Sequence, residues 1–227
     1  MKANNTLMRA DRSASLLWRR HLCDRLATIL SWLGMLIVVF MLGSILWTLF
    51  KNGLAGLSVH LFTMSMAAPG QPGGLANAIV GSIIQTGLAI LIGAPAGLMT
   101  GIYLAEYGTT SRMARTVRFV SDMLLSAPSI LIGLFIYMML VVPFGHFSGL
   151  SGAVALAILA MPIVVRTTED MLRLVPVAMR EAGIALGAPK WRVILFICLR
   201  AVRAGIMTGV LLAVARVAGE TAPLLFT

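Results

Sequence analysis

Charge is what this sequence has least of. Only 11% of its 227 residues are Asp, Glu, Lys or Arg, and 59% are hydrophobic, whereas a soluble domain carries about a quarter charged residues. A water-soluble globular fold is therefore excluded. Acids are scarcer than bases, with 8 Asp and Glu against 18 Lys and Arg and a net charge of +10. In a soluble chain that balance would suggest nucleic acid, but these bases sit almost entirely between alternate apolar runs, so no continuous basic face reaches water and no nucleic-acid partner is expected. There are only 2 cysteines. Cys23 and Cys198 both lie beside base-rich stretches that belong in a reducing cytoplasm, so both should stay unpaired. His21, His60 and His146 are too scattered for a metal site. None of Lys2, Lys51 and Lys190 follows the glycine pattern that cradles nucleotide phosphates, so any ATP hydrolysis belongs to another polypeptide. No nucleophile, base and metal come together, which leaves neither an enzyme nor a cofactor indicated.

What the sequence does have is long apolar runs. Its mean hydropathy of +0.95 marks a polytopic, all-α transmembrane bundle embedded in a lipid bilayer. Residues 1–25 form a basic cytoplasmic tail with Lys2, Arg9, Arg12, Arg19, Arg20 and Arg25. Within it Leu16, Leu17, Trp18 and Leu22 could make a short interfacial helix on anionic lipid, and a mobile tail is the competing reading. The first span, 26–50, has no charge and would be about 37 Å long as a helix. The glycine- and proline-rich turn Pro69-Gly70-Gln71-Pro72-Gly73-Gly74 then belongs outside.

The second span, 75–104, carries Gly93, Gly97 and Gly101 at four-residue spacing, a face that admits another helix closely. Ser82, Gln85 and Thr86 share a helical face suited to interhelical hydrogen bonds. Arg112, Arg115 and Arg118 return the chain to the cytoplasm, and Asp122 is placed to pair with Arg118 one helical turn away. The third span, 119–142, is interrupted by Ser126-Ala127-Pro128-Ser129, where proline removes a backbone donor and invites a kink or two half-helices. A short fourth span covers 150–168, and a fifth covers 204–227.

Between the last two spans lies the longest polar interruption, residues 169–203. It reads as a helix, a glycine stop at Gly187 and a restart at Pro189. Its charges keep it out of lipid while Leu172, Leu174, Val175, Ile184 and Leu186 give it apolar surface. That mixture suits a helix docked on a soluble partner, and equally one lying on the membrane surface.

Here a family resemblance enters. Glu181-Ala182-Gly183, then Gly187, Ile197 and Leu199, resembles the cytoplasmic EAA loop through which ABC importer permeases couple to their ATPase. Gly183 stands where that pattern prefers alanine, and Arg200 where it often has proline. The blocks Gly101-Ile102-Tyr103-Leu104-Ala105-Glu106-Tyr107-Gly108, Leu125-Ser126-Ala127-Pro128-Ser129-Ile130, His146-Phe147-Ser148-Gly149 and Ala218-Gly219-Glu220-Thr221-Ala222-Pro223-Leu224-Leu225-Phe226-Thr227 are similar to the PstA family of phosphate-importer permeases. The resemblance implies a type I ABC importer permease fold of six spans, of which five are counted, so a sixth is expected beyond Thr227. It implies a multi-pass subunit of the bacterial inner membrane, with its N-terminus cytoplasmic. Its partners would be a homologous PstC-like permease, a PstB-like ATPase dimer, a periplasmic phosphate-binding protein and inorganic phosphate. Glu181, Ala182, Gly183 and Gly187 would meet the ATPase. An ABC permease for sulfate or molybdate, or a non-transporting scaffold or sensor subunit, are the alternatives.

Arg216 lies thirteen residues beyond Arg203, about 20 Å along a helix and so near mid-membrane. A charge there costs about 2.5–3.5 kcal/mol and needs a partner or a watery path. Glu220, one turn further on, could supply the partner. Two readings follow: the pair neutralises itself and holds the bundle, or the guanidinium meets phosphate oxygens in the translocation pathway while Glu220 restrains it between turnovers.

Overall fold

A computed structural model describes residues 2–54, 56–68, 73–108 and 111–227, with side chains from Arg20 onward. The turn at Pro69–Pro72 and the side chains of the basic tail up to Arg19 lie outside the described residues. Two compact units result, Met1–Gly74 and Leu75–Thr227.

The first unit is dominated by one helix, α1 (Lys2–Leu54), with a short α2 (Val59–Thr63) after it. From Arg20 on, every described side chain of α1 is exposed, including Phe40 and Trp47 at 73%. Apolar side chains in the charge-free run face outward all round the helix, as they do when lipid is the surroundings.

The second unit packs around a central helix. Its elements are α3 (Ala76–Glu106), α4 (Arg112–Ser126), α5 (Ser129–Phe144), α6 (Gly149–Arg173), α7 (Val177–Ala185) and α8 (Lys190–Ala218). Four helices, counting Arg20–Leu54 of α1, are long and apolar enough to cross a membrane, and α4 with α5 makes a fifth if that bent pair is one span. α6 sits at the centre because its neighbours can come close. Ala153, Ala155, Ala157 and Ala160 on α6 are buried and offer little bulk.

The glycines supply the other half of that fit. A Cβ on Gly93 would stand 2.9 Å from the carbonyl oxygen of Ala157, one on Gly97 2.8 Å from Cβ of Val164, and one on Gly101 2.7 Å from Cβ of Thr168. The glycine face read from the sequence is thus the α3–α6 seam, and the rising numbers on both sides make these helices parallel. Gly205 and Gly209 of α8 lie in the same way against Met171 and Thr167, so α8 runs antiparallel to α6. Gln85 faces the start of α6, where its amide nitrogen would lie 3.0 Å from a Cβ on Gly152.

Two boundaries differ in kind from a simple reading of hydropathy. The third apolar run is bent by 106° between α4 and α5, at Ala127 and Pro128, where proline cannot donate the helical hydrogen bond. At the other end, α8 stops at Ala218, short of the expected 227. The backbone nitrogens of Gly219 and Glu220 close onto the carbonyls of Arg216 and Val217, and Pro223 opens a 3₁₀ turn, Pro223–Leu225. That turn is seated on α5, because a Cβ on Gly133 would come within 2.6 Å of Cα of Pro223. Apolarity continues past Ala218, but a glycine followed by a docked proline ends the helix.

Candidate functional site: an exposed short helix and an arginine cavity

The two sets of residues singled out in the sequence fall at opposite ends of α8. α7 lies at one end and carries Glu181, Ala182 and Gly183. Gly183 is buried, whereas Glu181, Ala182, Ile184, Ala185 and Leu186 are exposed, Leu186 to 89%. The helix ends through Gly187, whose φ of +79° lies in the left-handed region that glycine adopts without penalty. Amides of Gly187 and Ala188 return to the carbonyls of Ile184 and Gly183, closing the α7 terminus. Pro189 then precedes the first turn of α8. The alanine that the EAA pattern prefers at Gly183 would be crowded, since its Cβ would meet Cδ1 of Ile197 at 2.8 Å and Cγ2 of Val193 at 3.0 Å. Both residues belong to a wide π-helical turn, Val193–Cys198, on which α7 rests.

α7 is also wired to the end of α3. Arg180 donates from Nε (3.1 Å) and Nη2 (2.9 Å) to Oε1 of Glu106, and to the carbonyls of Val175 and Leu172 at 2.6 and 2.7 Å. Lys190 donates to the Glu106 carbonyl at 2.6 Å and its ammonium stands 4.2 Å from the centre of the Tyr107 ring.

A fully buried carboxylate belongs to α6. Glu169, 2% exposed, accepts from Nε of Arg118 at 2.7 Å and from Nη2 of Arg173. Arg118 also donates to the carbonyls of Leu104 and Gly108, so it caps α3 while pairing with α6. The local Arg118–Asp122 pair expected from sequence is replaced. Asp122 instead meets Arg166 at 3.6 Å, and Arg166 also meets Asp170 at 3.3 Å.

Arg216 occupies the last turn of α8, where the helix dipole favours a cation. Glu220 lies beyond the helix end, its carboxylate 4.0 Å from Nη2 of Arg216, so the pair is close but loose. Arg216 opens into a cavity of about 330 Å³ lined by Leu125, Ile163, Arg166, Thr167 and Leu212 as well. Leu125 places this cavity beside the α4–α5 break. Arg166 is not singled out by sequence, because it stands at the end of an apolar run with acids following. A signal was present in the spacing of Ile163, Arg166 and Thr167, which share one face of α6. Two arginines, Arg166 paired with Asp122 and Asp170 and Arg216 with Glu220, thus line one cavity with apolar walls, and a guanidinium group there can take an anion by exchanging a carboxylate for it.

Comparison with known proteins bears on what such a site serves. Residues 97–227 match the family described as binding-protein-dependent transport system inner membrane component. The phosphate transport system permease protein PstA of Haemophilus influenzae is 53% identical over 221 residues, covering 97% of this chain and 78% of that protein. Its counterpart in Yersinia pestis is 52% identical over 228 residues, covering 100% of this chain and 77% of that protein. PstA 1 of Mycobacterium tuberculosis is 40% identical over 212 residues, covering 91% and 68%. Among solved structures, the methionine ABC transporter MetNI in an inward-facing conformation matches with a TM-score of 0.54 and 20% identity, over 64% of this chain and 68% of that one. That likeness concerns the fold.

Proposed function

This chain belongs to the PstA family of binding-protein-dependent inner-membrane permeases, and from that premise we propose that it carries inorganic phosphate across the bacterial inner membrane. ATP hydrolysis takes place on a separate ATPase dimer, PstB-like, and a homologous PstC-like permease completes the pathway. A periplasmic binding protein delivers phosphate. The 53% identity to a phosphate permease over 97% of the chain is the observation that carries the choice of anion.

The chemistry of the chain supports each part of this reading. Bases at Arg20 and Arg25, at Arg112 and Arg115, and across residues 169–203 put the N-terminus and the coupling helix α7 in the cytoplasm. There the exposed face of Glu181, Ala182, Ile184 and Leu186 is offered to the ATPase, and Gly183 and Gly187 let α7 sit on α8 and stop. Toward the other end of α8, Arg216 and Glu220 form part of the translocation pathway, with Arg166 across the cavity. Planar guanidinium groups match tetrahedral oxyanions through paired N–H donors. Glu220 offsets the charge of Arg216 when no anion is present. Closure of the ATPase pair moves α7, and rigid-body tilting of the helices exposes the cavity to each side in turn.

The anion is tested by competition. In membranes carrying the full complex, uptake of radiolabelled phosphate should resist excess sulfate and be suppressed by unlabelled phosphate. Suppression by sulfate or molybdate at equal concentration would contradict the assignment.

A further inference from the structure

α3 ends at Glu106, and that end is gripped from both sides of the coupling segment. Arg180, on α7, takes the carboxylate. Lys190, the first residue of α8, takes the carbonyl and covers the Tyr107 ring. The Glu106 carboxylate side chain is 6% exposed and the Arg180 side chain 22%, so the pair is shielded from the water that makes surface ion pairs weak. Arg180 is further fixed by the carbonyls of Leu172 and Val175. Its guanidinium is thus held by the end of α6, the linker to α7 and the end of α3 together.

What lies downstream gives this grip a consequence. α3 lies so close to α6 along the glycine seam that a Cβ at Gly93, Gly97 or Gly101 would clash, and helices packed this closely move as one unit. α6 carries Arg166 and Thr167 into the cavity. A displacement of α7 that pulls on Glu106 therefore moves α3 and α6 together, and with them one wall of the Arg216 cavity. The packing of Gly183 on Val193 and Ile197 moves α8, the other wall. We propose that Glu106, Arg180 and Lys190 form the joint that transmits movement of the coupling helix to the α3–α6 pair. Glu106 and Arg180 are then positioning residues for coupled transport. The inference rests on the permease reading given above.

The experiment uses the complete complex in proteoliposomes with its binding protein, in a Cys23→Ser background. Glu106→Gln keeps the shape of the side chain and removes its charge, and Arg180→Lys keeps the charge and removes the fork. In both, ATP hydrolysis should persist while phosphate moved per ATP falls about tenfold. Hydrolysis and uptake falling by the same factor would reduce the joint to a structural support and overturn the proposal, as would an unchanged ratio.

A second readout does not depend on the anion. A cysteine replacing Leu212 in the cavity should change its maleimide labelling rate when nucleotide is trapped on the ATPase, and Glu106→Gln should abolish that change. The same nucleotide response with and without Glu106→Gln would overturn the joint. A parent complex that shows the response but takes up no phosphate would overturn the phosphate reading and leave the joint standing. A parent with neither would overturn both.

Discussion

Arg118 had two acids within reach and took the distant one. Asp122 lies one turn along the same helix, which is all that local spacing can indicate. Glu169 lies 51 residues away in sequence, yet its carboxylate is buried beside Arg118. A buried carboxylate left with only the half-exposed Arg173 would be more costly than an exposed Asp122 left to water or to Arg166. The long-range pair prevails for that reason, and no pattern of residues along one helix could announce it. The difference is measurable. Glu169→Ala should lower the stability of the detergent-solubilised protein by about 2 kcal/mol, because it leaves the largely buried Arg118 guanidinium without its counter-charge. Asp122→Ala, which removes a pair about half exposed on both sides, should change it by less than about 0.5 kcal/mol. Thermal unfolding of the two variants side by side reads this directly, and equal losses would contradict the ranking.

Among the elements, α7 was the most legible and α8 the least. The stop at Gly187 and restart after Pro189 follow from backbone chemistry confined to a few residues, so sequence sufficed. The break at Pro128 was legible as a break, but its angle of 106° depends on how α5 docks against the Pro223 turn. The end of α8 was hidden because Pro223, Leu224, Leu225 and Phe226 prolong the apolar run after the helix has stopped.

Gly183 shows how packing overrides a family preference. Alanine would improve helix propensity by up to about 1 kcal/mol, but its Cβ would press on Ile197 and Val193. The isoleucine end can rotate away and the branched valine cannot, so overpacking of about 1–3 kcal/mol wins. Gly183→Ala should therefore destabilise the α7–α8 contact by about 1 kcal/mol net. Adding Val193→Ala should recover most of it. Hydrogen exchange at the amides of α7 tests both, and slower exchange in Gly183→Ala alone would contradict the packing argument.

At the scale of the whole molecule, hydropathy alone indicated an all-α membrane bundle, and the glycine spacing indicated that α3 would be approached closely. Neither indicated by what. The partner is α6, which meets the glycine face in register at Ala157, Val164 and Thr168. The cavity was half legible. Arg216 stands out as a charge in an apolar run, whereas Arg166 becomes visible only when α4, α6 and α8 are brought together around Leu125, Ile163 and Leu212.

In the proposed function, coupling belongs to one end of α8 and anion passage to the other. Phosphate uptake by the assembled complex carrying Arg216→Gln tests that division most directly. Co-purification of the ATPase and nucleotide hydrolysis should survive, since α7 is untouched, while uptake should fall by at least about tenfold, the equivalent of 1.4 kcal/mol in transition-state stabilisation. Uptake equal to that of the parent, with the complex equally assembled, would contradict the placement of the phosphate path at this cavity.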